Sequence, residues 1–416
     1  MNRILALCFL FLNALSGSRA AEMPLVYQME NTGADCTKSP LPDFSALPSI
    51  PYLPDPFLKA DGNRITTRDE WRCRRAEIKA MIEQYDVGKK PGRPGEYKAT
   101  FKDNTLFITV SDGTNAFEIT AAINRPDGAP NGPIPAIIGI NSPTGSLPRE
   151  PFSKRGIATI TYRASQVAPT AFGGITRTSG NFSKLYPEST AGYMIRWAWG
   201  ISRIIDALER LEDPMIDPKR IAVSGCSFQG KIALYAGAFD ERIALTIPQE
   251  SGGGGTISWR YSDMLEKRDK TEVENLMHAQ GSSTNFPWYA AALRQFNNAP
   301  DKLPFDHHEL IAMIAPRAVL MIESSQIPRM GAEAARVDAL AAREVWKALG
   351  AADRMGATEE NIGHCQWHTN FTPALEAYLD RFLLGKQDGA STDILRSKFT
   401  EVDRAKWIPW TAPELK

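Results

Sequence analysis

From Ile134 onward the chain alternates two kinds of segment. Continuous apolar runs of strand length, "IPAIIGIN", "GIATITYRA", "RIAVSG", "ALTIPQES" and "AVLMIES", are separated by longer stretches. Among these, "TAGYMIRWAWGISRIIDALERLED", "IALYAGAFDERI" and "GAEAARVDALAAREVWKALGA" read as helices. Strands that are apolar on both faces must be covered on both, and strand, helix, strand succession favours parallel pairing. The pattern therefore predicts an α/β architecture, a three-layer αβα sandwich around a mostly parallel, twisted central sheet. Earlier in the chain, "YKATFKDNTLFITVSDG" and "AFEITAAINRP" alternate with period two, so an antiparallel edge should lead into the parallel centre.

The regular body begins at "RDEWRCRRAEIKAMIEQYDVG", a helix with Thr67 or Asp69 as its cap and Gly88 near its end. Ahead of it, residues 21–60 are proline-rich and lack any period, which predicts an extended arm packed on the body. Residues 1–20 carry an Arg, an apolar core from Ile4 to Leu15 and small residues up to Ala20, the pattern of a secretory signal peptide cleaved near Ala20. The apolar core is too short to span a bilayer. The expected mature chain is thus secreted or periplasmic, free of the membrane, and a monomer. Residues 61–416 read as the catalytic domain, with an insert at about 256–312 expected over the C-terminal edge of the sheet, where ligands bind in such folds. Lys and Arg total 48, as do Asp and Glu, and no basic block occurs, so the charge footprint of a nucleic-acid binder is missing.

One strand-to-helix junction carries the chemistry. In "SGCSFQGK", Ser227 follows the apolar run ending at Ser224 and precedes a small-residue helix. A serine on so sharp a turn is forced outward, and neighbouring glycines relieve the clashes of the strained backbone: a nucleophile elbow of the α/β-hydrolase fold. The spacing departs from Gly-x-Ser-x-Gly, because Gly230 lies one place later than that pattern requires. The start of the helix brings backbone N–H groups near Ser227, among them that of Phe228, where a developing oxyanion would sit. A serine needs a base, and in this fold the base follows the last strands. Of five histidines, that selects "NIGHCQWHT", with His364 ahead of His368 because Gly363 favours a tight loop. His307 and His308, in "PFDHHEL", read as capping or packing residues. Two carboxylates compete to orient the base: Glu323, after "AVLMI", and Glu250, which precedes a run of glycines. The residues alone leave that choice open.

These segments resemble the glucuronoyl esterases of carbohydrate esterase family 15, whose pattern is Gly-Cys-Ser-Arg-x-Gly-Lys. Gly225, Cys226, Ser227, Gly230 and Lys231 match it, and "FDERIALTIPQESGGGG", "SRIIDALE", "PFDHHEL" and "GHCQ" extend the likeness across residues 60–385. The resemblance implies a serine esterase acting on esters of 4-O-methyl-glucuronic acid, as in lignin–carbohydrate linkages of glucuronoxylan, with no metal and no organic cofactor. It implies Ser227 as nucleophile, His364 as base and Glu250 as orienting acid, with Glu323 the alternate used by some bacterial relatives. Lys231 is similar to a lysine that binds sugar hydroxyls. Cys226 and Cys365 resemble a disulfide tying the catalytic loops together, and the pairing expected is Cys226 with Cys365 and Cys36 with Cys73.

The chain departs from the family at three places. Phe228 replaces the motif arginine, which removes a cationic donor while keeping the backbone N–H. Arg329 falls near a sugar-stacking tryptophan and Glu274 near a sugar-binding glutamine; with Trp288 on the insert, both are expected to touch substrate. Arg329 could also restore the charge lost at Phe228. The Phe228 departure keeps two other readings in play: an esterase on other uronate or acetylated sugar esters, or a sugar-binding relative with impaired catalysis.

Overall fold

The computed structural model describes residues 23–170, 176–212, 214–279 and 287–416; the expected signal peptide and its cleavage point at Ala20 lie outside the described residues. Eleven strands occur among them: β1 (Glu96–Lys102), β2 (Thr105–Ser111), β3 (Ala116–Asn124), β4 (Ile134–Ile140), β5 (Pro143–Ser146), β6 (Ala158–Tyr162), β7 (Ile216–Cys226), β8 (Leu245–Gln249), β9 (Ala318–Ser324), β10 (Met355–Glu360) and β11 (Leu395–Arg396). All but β5 join one sheet in the order β1-β2-β3-β6-β4-β7-β8-β9-β10-β11. The first three strands and the β3–β6 pair are antiparallel, and every pairing from β6 to β11 is parallel.

Burial follows the strand chemistry. Every residue of β4, β8 and β9 is buried, whereas β1 alternates between exposed and half-buried positions. The sheet is covered on both faces, as continuous apolar strands require. On one face Val319, Met321 and Val223 pack with the helices Tyr193–Leu208, Phe228–Phe239 and Ala332–Ala348; on the other Ala318, Leu320 and Ile322 pack with Phe152 and with Leu375 and Tyr378 of the helix Thr372–Tyr378. The helical layers bring their N-termini to the C-terminal edge of the parallel strands, and the site is built there.

The first helix, Arg68–Ile82, starts at a capping box. Thr67 Oγ1 accepts from the Glu70 N–H at 3.3 Å, and the Glu70 carboxylate accepts from the Thr67 N–H at 3.1 Å. Hydrogen bonds from Thr66 hold the Glu70 carboxyl down at about 2. Thr67→Ala is expected to lower stability by about 1 kcal/mol, measured by chemical denaturation.

Residues 23–60 lie along the body with little regular structure. Leu47, Leu53 and Phe57 are buried, the Tyr27 N–H donates to Glu241 O at 3.0 Å, and the Cys36–Cys73 disulfide ties this arm to the first helix. The segment after β8 is docked by charge as well as packing. Asp306 accepts from the Trp259 N–H at 2.8 Å and pairs with Arg260 at 2.9 Å, all of them buried. No helix among the described residues is long and apolar enough to cross a membrane.

Candidate active site

Ser227 joins β7 to the helix Phe228–Phe239 with φ 61° and ψ −130°, a conformation that costs a non-glycine residue free energy and persists only where packing imposes it. The packing is visible in the flanking glycines. A Cβ on Gly225 would stand 2.5 Å from Gln229 O, and one on Gly230 would stand 2.5 Å from Gln249 O. Neither position admits a side chain, which accounts for the Gly-Cys-Ser-Phe-Gln-Gly spacing: Gly230 is where the helix touches β8. The β5 segment lies against the same turn, since a Cβ on Gly145 would come within 2.9 Å of Gly225 Cα.

The histidine and one carboxylate are brought together. His364 Nδ1 lies 2.7 Å from Glu250 Oε2, and the Cys365 N–H donates to Glu250 Oε1 at 3.0 Å. Glu250 is fully buried while the His364 side chain is 37% exposed, so the acid is fixed inside and the imidazole reaches outward. Both turns are strained like the elbow: Glu250 has φ 40° and Cys365 φ 57°. With Nδ1 engaged by a carboxylate, the imidazole carries its proton there and leaves Nε2 as the acceptor. The Cys226–Cys365 disulfide joins the residue before Ser227 to the residue after His364, with the two Cα atoms 5.8 Å apart.

Glu323 does not reach the histidine. Along β9 alternate residues face opposite sides of the sheet, so Glu323 continues the Val319–Met321 side and lies under Thr256, whose hydroxyl donates to Oε1 at 2.6 Å. Burial, with a smaller contribution from the Glu250 charge, pushes its carboxyl up to about 8. At neutral pH it is therefore an uncharged acid, poorly suited to stabilise an imidazolium.

Lys231 is buried, with Nζ donating to Ser251 O at 2.5 Å and to Glu274 Oε2 at 3.0 Å. Glu274 also accepts from the Gly253 N–H at 3.1 Å, so the two residues brace the glycine run after Glu250. An ammonium has three donors, and these contacts use two of them. Trp288 is 5% exposed, its ring 5.8 Å from Phe228 and 6.2 Å from Trp197. Phe228 thus occupies an aromatic wall beside Ser227, and Trp288 packs into that wall rather than presenting an open face for a sugar. Trp259 and Tyr289 are buried too. Arg329 lies at the surface, where its Nε pairs with Glu272 Oε1 at 2.9 Å and its carbonyl accepts from the Glu274 N–H.

Gln249 has a role that the residue pattern alone does not reveal. Its amide Nε2 donates to Gln366 O at 3.0 Å while its Oε1 accepts from Ser146 Oγ at 2.5 Å, linking β8, the histidine loop and β5. A glutamine ending an apolar run directly before Glu250 was the only signal along the chain. His307 is a second, fully buried histidine, with Nδ1 2.6 Å from Gly255 O and its ring 4.9 Å from Trp259, well packed below the glycine run.

A sheet of this order, with a strained serine at the end of its central strand and a histidine–carboxylate pair on the loops beside it, defines an α/β-hydrolase. A family model described as "Glucuronyl esterase, fungi" matches residues 108–350. The 4-O-methyl-glucuronoyl methylesterase of Hypocrea jecorina is 39% identical over 385 residues, covering 92% of this chain and 80% of that protein; the same-named protein of Neurospora crassa is 36% identical over 370 residues, covering 88% and 90%. The chain belongs to the glucuronoyl esterase family, carbohydrate esterase family 15, whose members are carboxylic ester hydrolases. Among solved structures, the glucuronoyl esterase catalytic domain from Hypocrea jecorina superposes with a TM-score of 0.84 at 38% identity, covering 90% of this chain and 100% of that one. A serine-to-alanine variant of the Sporotrichum thermophile enzyme, in complex with methyl 4-O-methyl-beta-D-glucopyranuronate, superposes with a TM-score of 0.81 at 36% identity, covering 89% and 97%.

Proposed function

We propose that this protein is an exported, monomeric serine esterase that hydrolyses esters of 4-O-methyl-glucuronic acid on plant glucuronoxylan. The observation that carries the reading is the 2.7 Å contact between His364 and the buried Glu250, in a chain of this family whose elbow presents Ser227. Ser227 Oγ attacks the ester carbonyl as His364 Nε2 takes its proton, and Glu250 stabilises the imidazolium that forms. The Phe228 N–H, at the helix N-terminus, supports the developing oxyanion together with an N–H of the loop after β4. The alcohol leaves with the proton from His364, and a water activated by the same nitrogen releases the uronic acid from Ser227.

Lys231 and Glu274 hold the sugar side, with the third Lys231 donor for a hydroxyl and Arg329 at the rim. Phe228 in place of an arginine removes one cationic donor, and a single oxyanion donor is worth roughly a hundred- to a thousandfold in rate. The test pairs hydrolysis of benzyl glucuronate, methyl galacturonate and acetylated xylan with covalent capture by a serine-directed phosphonate, mapped by mass spectrometry. Turnover is expected on the glucuronate ester, with the phosphonate on Ser227. Capture on Ser227 with turnover only of the other esters would reassign the substrate, and absence of both signals would refute an esterase.

A further inference from the structure

A groove of about 740 Å3 runs between the N-terminal arm and the segment that follows Trp288. Its cations are Lys38, Lys89 and Arg177, and Ser189 and Thr190 add hydroxyls to the same lining. Its carboxylate among the described residues, Glu83, is already engaged by Lys79 Nζ at 2.8 Å and by the Lys90 N–H at 3.1 Å. Lys38 and Lys89 are exposed and make no ion pair among the described residues. Arg177 is held in place by donating to Tyr289 O at 2.7 Å. Burial, and then repulsion from Arg294, push the Arg177 guanidinium below its usual value. An anion against Arg177 would relieve both costs. Because Lys and Arg balance Asp and Glu over the whole chain, this uncompensated cluster is a local feature and not general basicity.

One short segment connects the groove to the aromatic packing beside Ser227. Ala290, on its lining, follows Trp288 by two residues, at most about 7.2 Å of backbone. Trp288 in turn stands 5.8 Å from the ring of Phe228, the neighbour of Ser227. Among the described residues no aromatic side chain lines the groove; what they offer is positive charge and hydroxyls.

We propose that this groove is a second, non-catalytic subsite that binds free uronate carboxylates on the same acidic xylan chain whose ester is cleaved at Ser227. The proposal rests on the esterase reading and deepens it. It is tested with the full mature chain and the double variant Lys38→Glu/Lys89→Glu, by calorimetric titration with uronate-bearing and with neutral xylo-oligosaccharides. The parent is expected to bind the acidic oligosaccharides in preference to the neutral ones, more weakly as salt is raised, and the variant to bind them about tenfold more weakly. Its kcat/KM on benzyl glucuronate is expected to stay unchanged. Equal affinity of the parent for acidic and neutral oligosaccharides, unaltered binding by the variant, or equally tight binding of polyglutamate would each overturn the subsite. Failure of the esterase reading looks different: the parent would leave benzyl glucuronate intact whatever the binding data show.

Discussion

Turnover of benzyl glucuronate is expected to fall about 10^6-fold in Ser227→Ala and about 10^4-fold in Glu250→Gln, and to stay within about threefold of the parent in Glu323→Gln. The first loss follows if Ser227 is the nucleophile proposed above, because its removal leaves only binding and the oxyanion donors. The second follows from geometry, because Glu250 Oε2 receives Nδ1 of His364 at 2.7 Å and a glutamine amide there presents the wrong tautomer to the serine. Glu323 is spared because burial already keeps it protonated, with its carboxyl pushed up to about 8, so glutamine replaces one neutral group by another of the same shape. Stability supplies an independent readout of that protonation. The folded pKa of Glu323 lies above its unfolded value of 4.5, so between those two values the folded state binds more protons than the unfolded one. Its contribution is complete at acid pH and is lost as pH rises toward 8. Glu323→Gln should therefore flatten the decline of stability between pH 5 and pH 8, measured by denaturant titration at several pH values. Equal losses of kcat in the Glu250 and Glu323 variants would sink the assignment of Glu250.

Much of the sheet was legible because burial on both faces leaves a strand little choice but to be apolar throughout. β4, β8 and β9 show it, and the elbow was legible because Gly225 and Gly230 sit where a Cβ cannot. The choice between Glu250 and Glu323 was not, since each ends one of two neighbouring strands and both are buried. It depends on a backbone turn of φ 40° at Glu250 that directs this side chain to the histidine loop, and on strand alternation that turns Glu323 to the opposite side. Neither is a property of composition or spacing. The insert was illegible for a related reason. Along the chain Trp288 fits a sugar platform as well as packing, and only the fold shows that it, Tyr289 and Trp259 are buried, in a segment docked in part by the Asp306–Arg260 pair.

Replacing Glu30 with Gln is expected to lower stability by about 3–5 kcal/mol at neutral pH, a Tm decrease of about 4–6 °C for a chain of this size. Glu30 belongs to the irregular arm, yet its carboxylate accepts from Lys90 Nζ at 2.5 Å and from Arg203 Nη2 at 2.8 Å, and both cations are almost completely buried. Arg203 keeps Asp206 at 2.9 Å after the change. Lys90 does not fare as well: Glu30 is the carboxylate it hydrogen-bonds, the Ser202 hydroxyl and Phe239 carbonyl that remain are neutral, and the Asp240 charge that still favours its ammonium is a smaller influence than Glu30. Burial lowers the pKa of Lys90 and the Glu30 charge opposes that effect, so the variant drives it lower still. A lysine whose folded pKa lies below its unfolded one destabilises the fold while it is charged, and that cost is relieved as pH rises through the folded value. The deficit of the variant should therefore be largest near neutrality and narrow in alkaline solution, where Lys90 can lose its proton. A surface ion pair would give a deficit below about 1 kcal/mol that vanishes with salt. Denaturation of parent and variant at pH 7 and pH 9.5, at low and high salt, distinguishes the two, and a small, salt-sensitive difference would show that the arm is not clamped through Glu30. The clamp matters to the site because Arg203 and Phe239 belong to the two helices, Tyr193–Leu208 and Phe228–Phe239, of which the second carries the elbow at its other end. A proline-rich segment with little regular structure thereby braces, through Lys90, the far end of the helix that follows Ser227.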